Sequence, residues 1–194
     1  MFIRRPRPKV EIATERLVLR PPEMGDFEGW STLRRESRSF LQPWEPSWSP
    51  DHLGYRAFRN RVLWAERAVR QGEAVPLFLI ERESGALVGG LTLSNIRREP
   101  ADAGTLGYWT GRDFARQGYM REALSALTEH AFSQMGLSRL EAACLPDNVA
   151  SRGLLERCGF KYEGVAQAYL QIDGRWRNHV LYAALRPDRR GRVT

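Results

Sequence analysis

Residues 104–136 constrain the fold more than any other stretch of this chain. Gly104–Thr110 reads as a β-strand, a loop carrying Gly111 and Gly118 follows, and Tyr119–Met135 reads as a helix. Met120, Leu124, Leu127, Ala131 and Met135 recur at helical spacing along one face, and Gly136 stands where a helix is capped. A strand that passes straight into an amphipathic helix calls for a helix layer packed on a sheet. A glycine loop at the start of such a helix also offers unpaired backbone N–H groups and a partial positive charge, which suit phosphate oxygens. Arg116 and Gln117 add polar side chains there. The segment is not a P-loop, because no Gly-Lys-Ser/Thr follows, and it is not a Gly-x-Gly-x-x-Gly dinucleotide turn. Without further context, a plain strand-to-helix connection explains it equally well.

The remaining segments fit one mixed α/β sheet. Glu11–Arg20 predicts a strand ended by Pro21-Pro22, and Asp26–Ser37 a helix. Prolines keep Phe40–Trp48 irregular. A helix begins after Pro50 with Asp51 near its cap; Phe58, Val62, Ala65 and Val69 form its stripe and Gly72 its end. Val75–Glu83 and Ala86–Ile96 predict a hairpin, Leu140–Leu145 a short strand, and Asn148–Cys158 a short helix closed by Gly159. Phe160–Tyr162 alternates as a strand. Tyr169–Ile172 and Trp176–Ala184 flank an Asp173-Gly174 turn. The expected architecture is a single domain over 1–194, of α/β (mixed α+β) class, with a twisted central mixed sheet of about seven strands flanked by about four helices.

At 194 residues, with 42% hydrophobic and 27% charged, the chain is long enough for one core and too apolar for disorder. Cys144 and Cys158 make no disulfide framework and no Cys-x-x-Cys zinc site; His52, His130 and His179 lack metal-ligand spacing. Cys158 falls at a helix C-terminus, where the dipole disfavours a thiolate. Val75–Ile80 is far too short an apolar run to span a bilayer, and no apolar stretch follows the basic N-terminus. These exclusions point to a soluble, cytoplasmic protein that binds no metal and no membrane. The formal charge of +7 favours an anionic partner. Basic residues crowd in tails at 1–9 (Arg4, Arg5, Arg7, Lys9) and 186–194 (Arg186, Arg189, Arg190, Arg192). Solvated termini explain them most simply; a ribosome- or RNA-contacting surface is the sharper reading.

Two further constellations stand out. Pro146-Asp-Asn-Val-Ala-Ser151 opens the short helix, where Asp147 or Asn148 reads first as an N-cap. Tyr169–Tyr182 reads first as a surface hairpin.

In this order, from the Ala13–Arg20 strand to Leu185, these segments resemble the GNAT superfamily of acyl-CoA-dependent N-acetyltransferases. Within it, Phe40-Leu-Gln-Pro-Trp-Glu-Pro46, Pro146-Asp-Asn148 with Ser151, and Tyr169–Val180 resemble the ribosomal-protein-alanine N-acetyltransferase branch. The resemblance implies acetyl-CoA as co-substrate. Its pyrophosphate would sit on Ala115–Met120, where Gly118 alone keeps the family's loop pattern. Arg116, Gln117, Gly118, Tyr119 and Met120 are the implied contacts. Its pantetheine arm would lie along Leu106, Gly107, Tyr108 and Trp109 like an added strand.

The resemblance also implies direct attack of an amine on the thioester. Ser151 is the expected acid for the departing thiolate, and Asn148 orients the loop and pantetheine. Glu141 is the first candidate base, ahead of Asp173 and Glu163, although a strand-edge surface residue describes it equally well. Trp30, Phe40, Trp44, Trp48 and Trp176 are core or acceptor-groove aromatics, and Glu45 could meet a basic N-terminus.

Three functional readings stand. The first is acetylation of the Ala- or Ser-starting N-terminus of a ribosomal protein, by a monomer or homodimer that contacts the ribosome. The second is a small-amine acetyltransferase; no acidic cluster in the acceptor segments supports a polycationic acceptor. The third is a non-catalytic CoA- or ribosome-binding module.

Overall fold

In the computed structural model, which describes residues 10–189, five α-helices pack on one eight-stranded sheet. In chain order the elements are β1 (Ile12–Ala13), β2 (Leu17–Arg20), α1 (Phe27–Glu36), α2 (Arg38–Leu41), α3 (Tyr55–Gln71), β3 (Val75–Glu81), β4 (Leu87–Arg97) and β5 (Ala103–Thr110). Then come α4 (Tyr119–Ser133), β6 (Arg139–Cys144), α5 (Val149–Arg157), β7 (Lys161–Ile172) and β8 (Arg175–Leu185). The strands lie in the order β1-β2-β3-β4-β5-β6-β8-β7. Every neighbouring pair is antiparallel except β5 and β6, which are joined through α4 and run parallel.

Each face of the sheet buries its own cluster. On one, Leu77, Leu79, Leu91, Leu93 and Leu106 meet Leu124, Leu127 and Ala131 of α4 and Leu155 of α5. On the other, Phe78 and Leu87 meet Trp30 of α1 and Phe58 and Val62 of α3. Strand alternation sends successive residues to opposite faces. Tyr108 therefore packs with the α4–α5 layer and Trp109 with the α1–α3 layer.

The expected helices at α1, α3, α4 and α5 are present, and the differences have local causes. The strand expected over 11–20 is broken into β1 and β2, because Thr14 Oγ1 and the Arg16 N–H both bond Glu122 Oε1 (2.6 and 2.8 Å) and turn the chain back. α3 starts at Tyr55 behind Gly54 rather than near Asp51. Its buried stripe ends on Ala68 in place of Val69. Phe40–Trp48 is not wholly irregular: Arg38–Leu41 is a helical turn, and Gln42–Trp44 continues as a 3-10 turn. The two short strands expected at 160–162 and 169–172 are one long β7, interrupted by register shifts beside Gly164 and Ala168. Both of those residues have positive φ. Residues 1–9 and 190–194, which hold most of the two basic tails, lie outside the described residues; Arg186 is paired with Asp188 (2.7 Å). No helix among the described residues is long and apolar enough to cross a membrane.

β5 is held closely where it matters for the site. A Cβ on Gly89 would lie 2.5 Å from the Trp109 carbonyl oxygen, and one on Gly90 would lie 2.5 Å from Trp109 Nε1. Both glycines let β5 and its indole lie flat against β4. Gly89→Ala is expected to lower the unfolding free energy by about 1–3 kcal/mol, read as a shifted urea midpoint. An unchanged midpoint would mean that the end of β5 has room to move.

Candidate active site

The central opening of the molecule is a gap between its two parallel strands. β5 and β6 pair only over Ala103–Leu106 and Arg139–Ala142. Beyond that point β5 stays with β4 as far as Thr110, and β6 stays with β8 as far as Cys144. Gly107–Thr110 therefore keep a strand on one side and none on the other. Free backbone N–H and C=O groups of this kind bind an extended chain as an added strand would. The gap lies at the carboxyl ends of both parallel strands, where open α/β sheets place their ligands.

The N-termini of α4 and α5 both open on this end. At α4, Arg116 and Gly118 have φ of +63° and +86°, so backbone N–H groups converge at the start of the helix. Arg116 is exposed and makes no hydrogen bond or ion pair among the described residues. Gln117 is partly committed: its Nε2 donates to the Asp113 carbonyl (2.6 Å), and its own carbonyl accepts from Arg16 Nη1 (3.0 Å). Tyr119 and Met120 are buried in the core, so only their backbone can face a ligand. Arg16, which sequence reasoning missed, buttresses this turn. Its guanidinium pairs with Glu122 (2.8 Å) and lies 4.4 Å from the Tyr119 ring centroid.

At α5, Asn148 is the N-cap, its Oδ1 accepting from the Ser151 N–H (3.0 Å). The Ser151 hydroxyl lies 2.7 Å from the Tyr108 hydroxyl, either being able to donate. Burial pushes both the Tyr108 phenol and the Cys144 thiol upward, so both are neutral at physiological pH. Asn148, Ser151 and Tyr108 thus come together across the gap, and the Tyr108 hydroxyl is a proton-bearing group that sequence reasoning had used only for its backbone.

Glu141 does not join them. It lies opposite Thr105, in the paired part of the strands. Its Oε1 accepts from Arg139 Nε (2.9 Å) and its Oε2 from Arg97. Glu163 pairs with Arg139 as well. Arg139 holds the Glu163 carboxyl below its ordinary range. Asp173, the third candidate base, stands at the hairpin turn.

The α1–α3 face of the gap carries a buried ionic cluster. Arg34, only 5% exposed, donates from Nη1 and Nη2 to the two oxygens of Glu45 (2.7 and 2.6 Å). Trp48 Nε1 also donates to Glu45 Oε2 (2.8 Å), so Glu45 is occupied rather than free for an N-terminus. The Arg34 guanidinium lies between Trp48 and Trp109, 4.4 and 4.8 Å from their centroids. This clamp pins residues 42–54 over the end of β5. The Asp173 N–H donates to the Glu45 carbonyl (3.3 Å), so the tip of the β7–β8 hairpin bridges to the same loop. Of the five candidate aromatics, Trp30 is core and Trp48 belongs to this clamp, while Phe40, Trp44 and Trp176 are exposed. An open pocket of about 370 Å³ lies between Pro146-Asp147 and Trp176–Asn178, past the carboxyl end of β6. No group of three or more His, Cys, Asp or Glu side chains placed to hold a metal occurs among the described residues.

Comparisons with known proteins agree with this geometry. The acetyltransferase (GNAT) domain family matches residues 16–161. The chain is 35% identical over 181 residues to the [ribosomal protein uS5]-alanine N-acetyltransferase of Escherichia coli, covering 93% of each. It is 28% identical over 172 residues to a probable N-acetyltransferase, YjcK, of Bacillus subtilis, covering 89% of this chain and 95% of that one. Among solved structures, a ribosomal-protein-S5-alanine acetyltransferase from Vibrio fischeri superposes with a TM-score of 0.86 at 28% identity, over 92% of this chain and 98% of that one. RimJ of Mycobacterium smegmatis, solved with CoA-disulfide, gives 0.84 at 28% identity, over 94% and 89%.

Arg116→Ala is expected to raise KM for acetyl-CoA about three- to tenfold with kcat held, and the effect should shrink as salt is added. An unchanged KM would remove Arg116 from the phosphate site.

Proposed function

The chain belongs to the GNAT family of acetyl-CoA-dependent N-acetyltransferases, and from that premise we propose that it acetylates the N-terminal α-amino group of a ribosomal protein that begins with Ala or Ser. The observation that carries this reading is the 35% identity, over 93% of both chains, to an enzyme named for alanine acetylation of uS5. The bridged opening between the Trp48 loop and the hairpin tip fits the end of a peptide chain.

Acetyl-CoA supplies the acetyl group as a thioester. Gly107–Trp109 hold the pantetheine by backbone hydrogen bonds, and the turn from Arg116 to Tyr119 holds the pyrophosphate. The acceptor enters from the α1–α3 face. Its nitrogen attacks the thioester carbonyl carbon, a C–N bond forms, the C–S bond breaks, and the nitrogen gives up a proton to water in the open gap. A backbone N–H at the free edge of β5 stabilises the developing oxyanion. The departing sulfur takes a proton from Ser151, which regains one from Tyr108 through their 2.7 Å contact as Tyr108 takes up from water the proton that the amine released.

No side-chain base is required. An α-amine has a reference pKa of about 7.7–8.0, against about 10.4 for lysine, so a useful fraction is neutral near pH 7. Glu141 sits between two guanidiniums and serves as a tie between β6 and the end of β4.

Thiol release should occur with a peptide that begins with free Ala, and not with the same peptide N-terminally blocked and carrying an internal Lys. Release with the blocked peptide alone would overturn the α-amine reading. With the free peptide, kcat/KM should rise with pH and level off above about 8, and the limb should move when the amine's own pKa is changed. A limb that stays fixed would require a base on the protein. Ser151→Ala should lower kcat about a hundredfold with both KM values retained; full kcat would assign the proton to another group.

A further inference from the structure

The layer between α3 and the sheet holds more positive charge than it balances. Arg34 and Arg61 bring two guanidiniums to it, and the carboxylate they share is Glu45, whose oxygens are already taken by Arg34 and Trp48. Arg61 is partly buried, with its guanidinium 5.4 Å from the Trp30 ring centroid. It has no hydrogen bond or ion pair among the described residues. Burial first, and then Arg34, push its pKa down, as expected of a cation short of a counter-charge. His52 adds no compensation: burial, Arg34 and Arg61 all lower its pKa, which leaves it neutral.

Arg61 borders a small pocket over β3, β4 and β5, walled by Pro76 and Phe78. Thr92 and Trp109 also line it, and no acidic residue does. The polar side-chain groups of its lining residues are therefore a guanidinium, a hydroxyl and an indole N–H, and two of the three can only donate. Thr92 pairs with Gly107 and Gly90 with Trp109, which sets the pocket level with the point where β5 leaves β6.

We propose that this pocket is an anion subsite of the acceptor, which takes a carboxylate carried within one or two residues of the reacting amine, with Arg61 as its charged partner. The proposal rests on the reading that the acceptor enters from the α1–α3 face. Neighbouring strands are about 4.8 Å apart, so the β3 side of the pocket lies about 10 Å from β5. The side-chain carboxylate of a glutamate at the second residue spans that distance when extended, and so does the terminal carboxylate of a tripeptide, at about 3.3–3.6 Å per residue.

The test compares wild type, Arg61→Gln and Arg61→Lys, each first checked for an unchanged melting transition. Acceptors are amidated Ala-Glu and Ala-Gln peptides of otherwise identical sequence, and Ala-Ala-Ala with a free or amidated end. In wild type the acidic member of a pair should have about a tenfold lower KM at equal kcat. Arg61→Gln should erase the difference without changing KM for acetyl-CoA, and Arg61→Lys should restore part of it. A preference within the first pair assigns the subsite to a side chain, and one within the second to a chain end. Equal KM values within both pairs in wild type would overturn the proposal, as would a preference that survives in Arg61→Gln. Binding of the acetylated products to the CoA complex, read by tryptophan fluorescence, separates the two readings. Arg61-dependent preference for the acidic product without any turnover would keep the subsite and remove the peptide-acceptor reading. Equal binding of acidic and neutral products would remove the subsite.

Discussion

The site depends on the early end of one parallel ladder. β5 and β6 share four residue pairs and then part, each continuing with its other neighbour. That parting strips one edge of β5 of backbone partners, and it separates the starts of α4 and α5 enough for a ligand to lie between them. The rest of the structure serves to hold the gap open. α4 and α5 bury Leu124, Leu127 and Leu155 on one face, and α1 and α3 bury Trp30 and Phe58 on the other. Neither layer can close the gap without losing its own packing.

The two faces have different chemistry. The α4–α5 side holds neutral proton carriers: Ser151, Tyr108 and Cys144, the last two kept protonated by burial. The α1–α3 side holds fixed charge, with Arg34 sealed between two indoles. A buried guanidinium needs compensation, and Glu45 supplies most of it with a two-point contact to Nη1 and Nη2 that also fixes the loop around it, leaving Nε unpaired. Under the function proposed above, a cleft with a proton source on one wall and a rigid, charged wall opposite would separate departure of the thiol from selection of the amine.

Much of this was legible in local pattern. The α4 stripe, the Asn148 cap and the Asp173-Gly174 turn are short-range signals, and the structure keeps each near its expected bounds. What escaped depends on partners far away in sequence. Nothing near Thr14 announces that Glu122 will break its strand. Arg34 and Arg61 lie on the buried faces of their helices, four residues after Trp30 and three after Phe58, but as arginines they read as solvated. The continuity of β7 was hidden because Gly164 and Ala168 take positive φ inside it. Glu141 looked like a base because its two arginines come from β4 and from its own strand, and neither pairing is visible as a motif.

The hydrogen bond from the Asp173 N–H to the Glu45 carbonyl joins two segments more than a hundred residues apart, and in doing so closes the rim of the cleft into a ring. A ring sorts by topology before it sorts by chemistry. A chain terminus can be threaded through it, whereas the middle of a folded chain enters only after the link is undone. Under the function proposed above, discrimination between the start of a protein and its interior would rest in part on a single backbone contact, formed before any side chain of the acceptor is read.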